Sequence, residues 1–314
     1  MEYLALAFPA EADLNSSYRD FIRGNIGRSL HQIGFYNWNI ARSKRDESSI
    51  VRRLWAYLEN YHSRHDLLEA GVYLSEARVW CYCDLRDWLI RNYINGSSGI
   101  YEWTDISHCM SYCQPGDHIV DVGANHGYWG FSLGRIIVGG AIYLVDANPT
   151  LCERLRRAAE MNKGMRASVF HCALGDGSLS ECTFFTPLKC NSGTGSTVLH
   201  EYALDHELLD ASRHIQVPST SLDELVAQGA ISRVDILKID VEFGENAVIQ
   251  GALKTLQKFR PRLVVCETSP SSIAFSTFES LGYRPYILKN GNQRLEVSAA
   301  SDYWGNIFFT NLPF

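Results

Sequence analysis

The sequence predicts an α/β protein in which a mostly parallel sheet carries helices on both faces and follows a helical N-terminal region. From residue 118 onward, short apolar runs alternate with helical stretches, a pattern typical of parallel strands joined by helical crossovers. The first hundred residues lack this alternation. A chain of 314 residues with 46% hydrophobic composition is long enough for one large α/β domain and a sizeable second region.

The N-terminal region, residues 1–100, is predicted to be helical. Ser48 can cap a helix whose apolar residues between positions 50 and 61 fall on one face. A second helix is predicted to start at Ser75 and to end at Asn95-Gly96, a good C-terminal stop. We expect this region to serve as a lid or as an interface of a homo-oligomer, and residues 101–314 to form the second domain.

The second domain is predicted to contain seven sheet strands, at residues 118–122, 141–146, 168–172, 234–240, 262–267, 283–288 and 306–310. The predicted helices between them cover residues 128–137, 151–161, 245–256 and 272–281. A long insertion separates the third and fourth strands. It contains a further predicted strand at 181–186, a loop rich in Gly, Ser and Thr at 191–197, and a helix opened by the capping-box sequence at Ser221.

Charge and cysteine content narrow the possible partners. The formal net charge of -6 is unlike the basic surfaces that nucleic acids and anionic membranes require, so neither is an expected partner. The nine cysteines are odd in number and lack the spacing of a structural zinc site. No apolar run approaches the length of a membrane span. We therefore expect a cytoplasmic protein without a bound structural metal.

The segment Asp121-Val122-Gly123-Ala124-Asn125-His126-Gly127 lies directly after a predicted strand and before a predicted helix. A glycine turn at this place lets the backbone approach a nucleotide-like ligand at the carboxyl edge of the sheet. Asp146 ends the next strand, where a carboxylate can accept both hydrogen bonds of a ribose diol. The two features together predict a nucleotide-like cofactor.

Asn125 distinguishes between two such cofactors. A dinucleotide fingerprint requires glycine at this middle position so that the pyrophosphate can contact the backbone. S-adenosylmethionine has no phosphate, but it has an amino-acid group and a cationic sulfonium. The carboxylate of Asp121 and the amide of Asn125 suit those groups, so S-adenosylmethionine is favoured over NAD.

Several segments together resemble the FkbM family of S-adenosylmethionine-dependent methyltransferases. They occur in the family's order and spacing over about two-thirds of the chain: 121–128, 145–149, 173–176, 221–224, 237–242, 251–252 and 306–309. Two positions depart from the family. Asp146 stands where Glu is more frequent, and Phe243 separates Glu242 from Gly244, where the family usually has Gly directly after the Glu.

The resemblance implies a class I methyltransferase Rossmann-like fold, with seven strands of which the last is antiparallel. It also implies O-methylation of a hydroxyl group on a sugar, a glycan or a natural-product small molecule. By position, the glycine loop would hold the methionine part of the donor, Asp146 the ribose, and the residues after strand three the adenine. The implied donor-binding residues are Asp121, Gly123, Ala124, Asn125, Gly127, Tyr128, Asp146, Ala147, Asn148, Ala173, Leu174, Asp176 and Asp240.

Four residues are candidates for catalysis. Asp240 and Glu242 end strand four and Glu267 ends strand five, and such strand ends lie side by side in a parallel sheet. A carboxylate there can remove the proton of an acceptor hydroxyl; alternatively, these acids cap helices or pair with Lys238 and Lys254. The cluster could also hold a divalent metal, which is not favoured. His126, inside the glycine loop, is a further candidate base.

Two other functions remain open from the sequence. An enzyme with the same donor could methylate nitrogen or carbon, because the acceptor pocket lies in the most variable segments. A binding module could keep the fold without catalysis, although the intact glycine loop together with Asp146 argues against it.

Overall fold

The computed structural model describes residues 6–7, 69–74, 76–84, 87–94, 100–188, 191–289 and 293–313. The chain divides into two compact units, residues 1–103 and 104–314. The predicted helix over residues 50–61 and the predicted helix stop at Asn95-Gly96 lie outside the described residues.

The described part of the N-terminal unit contains a three-stranded antiparallel sheet and one helix. The strands are β1 Leu6–Ala7, β2 Glu69–Leu74 and β3 Val79–Asp84, in the order β1-β2-β3, and the helix is α1 Trp88–Ile94. The prediction of a helical region is therefore wrong for residues 69–84. Strand β3 is rich in aromatic and β-branched residues and is almost entirely buried, which favours pairing with β2 over a helix.

The second unit is built on an eight-stranded sheet with the order β13-β12-β14-β11-β10-β4-β5-β6. All seven predicted strands are present, and β13 adds an eighth at the edge, antiparallel to β12. Strand β14 is antiparallel to β11, which confirms the fold that the resemblance implies. The strands of this unit are β4 His118–Val122, β5 Ala141–Asp146, β6 Ala167–His171, β7 Ala173–Leu174, β8 Glu181–Phe185, β9 His214–Thr220, β10 Ile236–Ile239, β11 Leu263–Thr268, β12 Arg284–Lys289, β13 Gln293–Glu296 and β14 Gly305–Thr310.

Helices cover both faces of this sheet. They are α2 Trp103–Met110, α3 Tyr128–Gly134, α4 Pro149–Met161, α5 Glu201–Asp205, α6 Leu222–Ala227, α7 Glu245–Gln250, α8 Leu253–Phe259 and α9 Ile273–Ser280. On one face, Val120 and Leu237 belong to a buried cluster with Val248 of α7. On the other, Gly130 of α3 packs against Leu144. Among the described residues, no helix is long and apolar enough to cross a membrane.

Two details differ from the sequence prediction. The helix expected over residues 245–256 is divided into α7 and α8 at Gly251, where a side chain would overlap the Gly175 carbonyl. The insertion contains strand β9, which was not predicted and which joins β7 and β8 in a small sheet of order β7-β9-β8. A small core of Ala173, Phe184 and Val217 stabilises this sheet.

Candidate functional site

The carboxyl ends of the central parallel strands meet at one edge of the sheet. In the strand register, Val122 pairs with both Val145 and Ile239, and Ile239 pairs with Cys266. The segments that follow these residues therefore begin at the same position along the strand direction, at one edge of the sheet. They contain the glycine loop, Asp146, the 240–244 turn and Glu267, and this edge is the predicted place for a ligand in an open α/β sheet.

The glycine loop passes directly against the end of β10. Gly123 has a φ of 75°, and a Cβ atom at this position would overlap the carbonyl oxygen of Asp240. Asn125 and Gly127 also have positive φ, at 51° and 76°, a conformation that Gly adopts freely and Asn tolerates. Helix α3 begins immediately afterwards at Tyr128. The loop therefore presents backbone rather than side chains to the edge of the sheet.

Asp121 is buried beneath this loop. Its Oδ2 accepts a hydrogen bond from the Gly130 amide at 2.9 Å, whereas its buried Oδ1 has no hydrogen-bond partner. The ammonium of Lys238 lies 3.8 Å from Oδ1 and 3.0 Å from Oδ2 of Asp240. Burial raises the pKa of Asp121, and the Lys238 charge opposes this. A buried acceptor without a hydrogen bond calls for an explanation, and a donor group of a ligand would supply one.

Asp146 is held by backbone amides on both sides. Its Oδ2 accepts a hydrogen bond from Asn125 N at 2.9 Å and its Oδ1 accepts one from Asn148 N at 2.8 Å. Burial raises the pKa of Asp146 to about 6, and the two amide hydrogen bonds oppose this shift. Each carboxylate oxygen has a second lone pair, so the group can still accept two hydroxyl hydrogens. Asn148 also caps helix α4, because its Oδ1 accepts from Thr150 N at 3.0 Å.

Three further predicted donor residues, Ala147, Ala173 and Leu174, lie close to Asp146. The backbone amide of Cys172 donates to the Asp146 carbonyl at 3.1 Å, which places buried Ala173 and Leu174 of β7 beside it. The Ala147 carbonyl lies 3.1 Å from Nε2 of His171. Asp176, in contrast, is fully exposed, and the side chain and amide of Ser178 lower its pKa. Its predicted place beside the adenine stays a prediction.

The insertion contacts the glycine loop through Ser192. The Ser192 hydroxyl donates to Oδ1 of Asn125 at 2.7 Å and lies 3.1 Å from Nε2 of His126. Because the hydroxyl hydrogen is directed to Asn125, the Nε2–H of His126 donates to the Ser192 oxygen. His126 is almost completely buried. Its predicted role as a base stays a prediction, and this burial weighs against contact with an acceptor.

The three candidate carboxylates converge. Asp240, Glu242 and Glu267 each place an oxygen within 4.8 Å of the other two, and all three are partly buried. Lys238 pairs with Asp240 at 3.0 Å and so balances one negative charge. Such a group can accept a proton, attract a cationic ligand or hold a hard cation.

The turn that carries two of these acids has an unusual backbone. Glu242 and Phe243 have φ of 55° and 75°, and a bulky residue in this region is an outlier. The Ser196 hydroxyl donates to the Glu242 carbonyl at 2.5 Å, and the Val241 amide donates to Oε1 of Glu245 at 3.0 Å. The first bond links the turn to the insertion, and the second links it to α7. The turn coincides with the departure of this sequence from the FkbM pattern.

Three aromatic side chains form a row that includes Phe243, the residue directly after Glu242. The ring of Phe243 lies 3.8 Å from that of His200 and 5.0 Å from that of Trp304, measured between centroids. We call these three residues the aromatic row. Phe243 is 38% exposed and Trp304 is 51% exposed. The row therefore presents a large apolar surface next to a charged one.

The sequence analysis named Lys238 only as a possible partner of the acids and missed Glu245. Lys238 is the one basic residue in a fully buried strand, and an aspartate lies on each side of it in the sequence. This pattern indicates a buried ion pair. Glu245 is buried, and this burial raises its pKa to about 7. Acidic residues are favoured in the first turn of any helix. Nothing in the sequence therefore distinguished Glu245 from an ordinary surface residue.

Comparison with known proteins identifies the family. The family model described as methyltransferase FkbM domain matches residues 121–294, more than half of the chain. Among solved structures, the chain is similar to precorrin-6y C5,15-methyltransferase from Geobacter metallireducens GS-15, with 10% identity over 67% of this chain and 88% of that chain and a TM-score of 0.36. It is also similar to Aeropyrum pernix fibrillarin in complex with natively bound S-adenosyl-L-methionine, with 12% identity, coverage of 77% and 94%, and a TM-score of 0.35. A search of curated proteins found no match.

Proposed function

Because the chain belongs to the FkbM family of methyltransferases, we propose that it transfers a methyl group from S-adenosylmethionine to a hydroxyl group of a sugar, a glycan or a natural-product small molecule. One observation carries the proposal. Asp240 lies between the two parts of the site: its carbonyl oxygen lies against Gly123 of the glycine loop, and its carboxylate belongs to the three-carboxylate cluster.

The residues of the glycine loop fit the donor. Oδ1 of buried Asp121, which accepts no hydrogen bond, suits the ammonium of the methionine part, and the close approach at Gly123 leaves backbone exposed to it. Asp146 suits the ribose diol because both of its oxygens are fixed in place by backbone amides. When bound, S-adenosylmethionine supplies a methyl carbon that its sulfonium makes electrophilic.

The carboxylate cluster fits the chemistry of a hydroxyl acceptor. A neutral hydroxyl is a weak nucleophile and gains from a base that removes its proton. The acceptor oxygen forms a bond to the methyl carbon, the carbon–sulfur bond breaks with its electron pair going to sulfur, and the hydroxyl proton passes to a carboxylate. The converging oxygens of Asp240, Glu242 and Glu267 support this proton transfer. An amine or carbon acceptor could lose its proton to the same carboxylates, so N- or C-methylation is the second candidate.

We also propose a cytoplasmic location and a small-molecule acceptor rather than a nucleic acid. All eight cysteines in the described part of the chain are free, in keeping with a reducing compartment, and the net charge of -6 disfavours a polyanionic partner. For the N-terminal unit we keep the proposal of a lid or an oligomer interface.

Calorimetric titration with S-adenosylmethionine and S-adenosylhomocysteine tests the proposal. Both should bind, and Asp146→Ala should raise Kd about 100-fold, roughly 2.7 kcal/mol, because two hydrogen bonds to a charged group are lost. The conservative variant Asp146→Asn and a thermal unfolding curve for each variant distinguish loss of donor affinity from misfolding. The matched control is Asp210→Ala, because exposed Asp210 also accepts a backbone amide two residues on but lies outside the site. Absence of binding by the wild type would contradict every methyltransferase reading and favour a fold without catalysis.

A further inference from the structure

One peptide unit belongs to both parts of the site. Strand β10 ends at Ile239, and the peptide that joins Asp240 to Val241 follows it; we call this unit the shared peptide. Its carbonyl oxygen lies against Gly123, where a Cβ atom would overlap it. The Asp240 side chain belongs to the carboxylate cluster. The orientation of the shared peptide therefore affects both the shape of the glycine loop and the position of one acid.

A buried side chain fixes the nitrogen end of the shared peptide. The Val241 amide donates to Oε1 of Glu245 at 3.0 Å, and Glu245 is 4% exposed. Because a trans peptide is planar, its N–H and C=O bonds point in opposite directions, and an amide held at one end fixes the carbonyl at the other. The hydrogen bond to Glu245 thus directs the Asp240 carbonyl toward Gly123.

The turn after the shared peptide depends on outside support. Glu242 and Phe243 have φ of 55° and 75°, a conformation that is unfavourable for residues with a Cβ atom. Such a conformation persists only where the surrounding structure determines it. Ser196 supports the turn from the insertion, through the Glu242 carbonyl, and Glu245 supports it from α7. Without the acceptor on Glu245, we expect the turn to relax and the shared peptide to rotate.

Glu245 is itself firmly anchored. It is the first residue of α7, and Val248 and Ile249 of this helix are buried in the core. Asn246 accepts a hydrogen bond from the Ala274 amide at 2.9 Å, which joins α7 to α9. A functional group is held precisely when the residues that support it are themselves rigid. Helix α7 provides such a base.

The hydrogen bond to Val241 does not require a charge on Glu245. Burial raises the pKa of Glu245 to about 7, the backbone amides of Val241 and Glu245 oppose this shift, and the charge of Asp240 adds to it. Burial and the Glu245 charge also keep the Cys266 thiol of β11 neutral by raising its pKa. A protonated carboxyl group retains a carbonyl oxygen that accepts hydrogen bonds. Both forms of Glu245 can therefore hold the Val241 amide.

We propose that Glu245 is a positioning residue for S-adenosylmethionine binding: as the buried acceptor of the Val241 amide, it fixes the shared peptide and, through it, the glycine loop. This inference rests on the proposed function, because the donor is the ligand of that loop. Glu245 acts through the Asp240 carbonyl and needs no contact with the donor. The position requires an acceptor atom at the right distance, which a residue that only fills space does not provide.

The test compares substitutions of nearly equal size in the full chain. Glu245→Gln keeps an oxygen for the Val241 amide, whereas Glu245→Met fills the same space with only a weak acceptor. In calorimetry, the Kd of S-adenosylhomocysteine should stay within about threefold for Glu245→Gln. It should rise about tenfold for Glu245→Met, roughly 1.4 kcal/mol, as expected for one lost hydrogen bond. Deuterium exchange in peptides covering residues 240–245 should be faster in Glu245→Met than in Glu245→Gln, because the Val241 amide has lost its partner.

Two further variants separate positioning from folding. Glu245→Asp keeps a carboxylate in the first turn of α7 but withdraws it by one methylene, so it should fold and still raise the Kd severalfold. The matched control is Asp223→Leu. Asp223 accepts the amides of Lys254 and Thr255 at 3.0 and 2.7 Å, and so supports the start of α8 rather than the 240–244 turn. Its loss should lower the Tm and leave the Kd within about threefold.

The outcomes distinguish this inference from the proposed function. An unchanged Kd in both Glu245→Met and Glu245→Asp overturns the inference, and a lower Tm in these variants would then give Glu245 a purely structural role. Equal losses of affinity in Glu245→Gln and Glu245→Met also overturn it, because the acceptor would not be what matters. In both cases binding by the wild type leaves methyltransferase function intact. If the wild type does not bind S-adenosylhomocysteine, the proposed function itself fails.

Discussion

The two sides of the sheet edge hold their functional groups by different means. On the donor side, the 121–127 loop and Asp146 are fixed by backbone: amides hold both carboxylate oxygens of Asp146, and the loop contacts β10 where only glycine fits. On the acceptor side, the carboxylate cluster and the aromatic row consist of partly exposed side chains from separate segments.

This difference predicts how each side tolerates change. A site made of close backbone contacts loses its shape when one Cβ atom is added, whereas a site made of exposed side chains changes its ligand when one residue is replaced. The donor side is therefore expected to keep one ligand, and the acceptor side to determine which molecule is methylated. Three experiments test this division.

Neutralising the acceptor side should have the largest effect. We expect that one of these three carboxylates is the base. Its neutralisation, by Asp240→Asn, Glu242→Gln or Glu267→Gln, should lower kcat by about 10²–10⁴-fold. For Glu242 and Glu267, the Kd of S-adenosylhomocysteine should stay within about threefold, because the proposed donor-binding groups are the glycine loop and Asp146. Single-turnover rates and calorimetry measure the two effects. Glu153→Gln, on the exposed surface of α4, is the control.

Two results would contradict this interpretation of the cluster. Three variants with unchanged kcat would remove the carboxylates from the mechanism. Loss of activity on chelation with EDTA, restored by a divalent cation, would show that the cluster holds a metal and would reverse the preference for a metal-free site.

A smaller effect, on the donor side, is expected from Gly123→Ala. The added Cβ would overlap the Asp240 carbonyl oxygen at a φ of 75°, so backbone strain and overpacking together should lower the free energy of unfolding by about 2–4 kcal/mol. Urea unfolding measures it. Gly116→Ala is the matched control, because Gly116 has a φ of 83° but no atom near its Cβ position. The free energy of unfolding of this control should fall by only about 1–2 kcal/mol, the cost of a positive φ for alanine. Equal losses would show that the close approach to Asp240 is unimportant.

The smallest effect should come from pH. Burial raises the pKa of Asp146 to about 6, and a ribose diol binds the ionised form. Donor affinity should therefore be full above pH 7 and about tenfold lower at pH 5. Because the folded pKa of Asp146 exceeds the unfolded one, its protonation between pH 6 and 4 adds to folding stability, so this group does not itself cause unfolding in that range. Calorimetry at several pH values measures it, and Asp146→Asn should lack the dependence. The same slope in that variant would assign it to another group.

Sequence patterns predicted the second unit well where neighbouring residues determine structure. Strands β4 and β5 begin and end where their apolar runs do, and the glycine loop lies between β4 and α3 as expected. The methyltransferase family and its fold are confirmed by the family match and the sheet order. The roles of the individual site residues stay predictions.

Prediction failed where distant segments compete with local preference. Residues 79–84 form a strand because β2 pairs with them, and β9 forms because it lies between β7 and β8. The pattern within each segment was too weak to show which partner would stabilise it, since strand formation depends on neighbouring strands more than on intrinsic preference.

The donor side could be read from consecutive residues, because a strand, a glycine turn and a helix N-terminus are all defined by local backbone conformation and its hydrogen bonds. The acceptor side could be read only in part: the three acids were predicted from the strand ends and do converge, but the aromatic row was not predicted. His200, Phe243 and Trp304 come from three separate segments, and Ser192 contacts a loop more than sixty residues before it. Only packing in three dimensions brings these side chains together, because contacts between distant residues depend on the whole fold and leave no periodic trace in the chain.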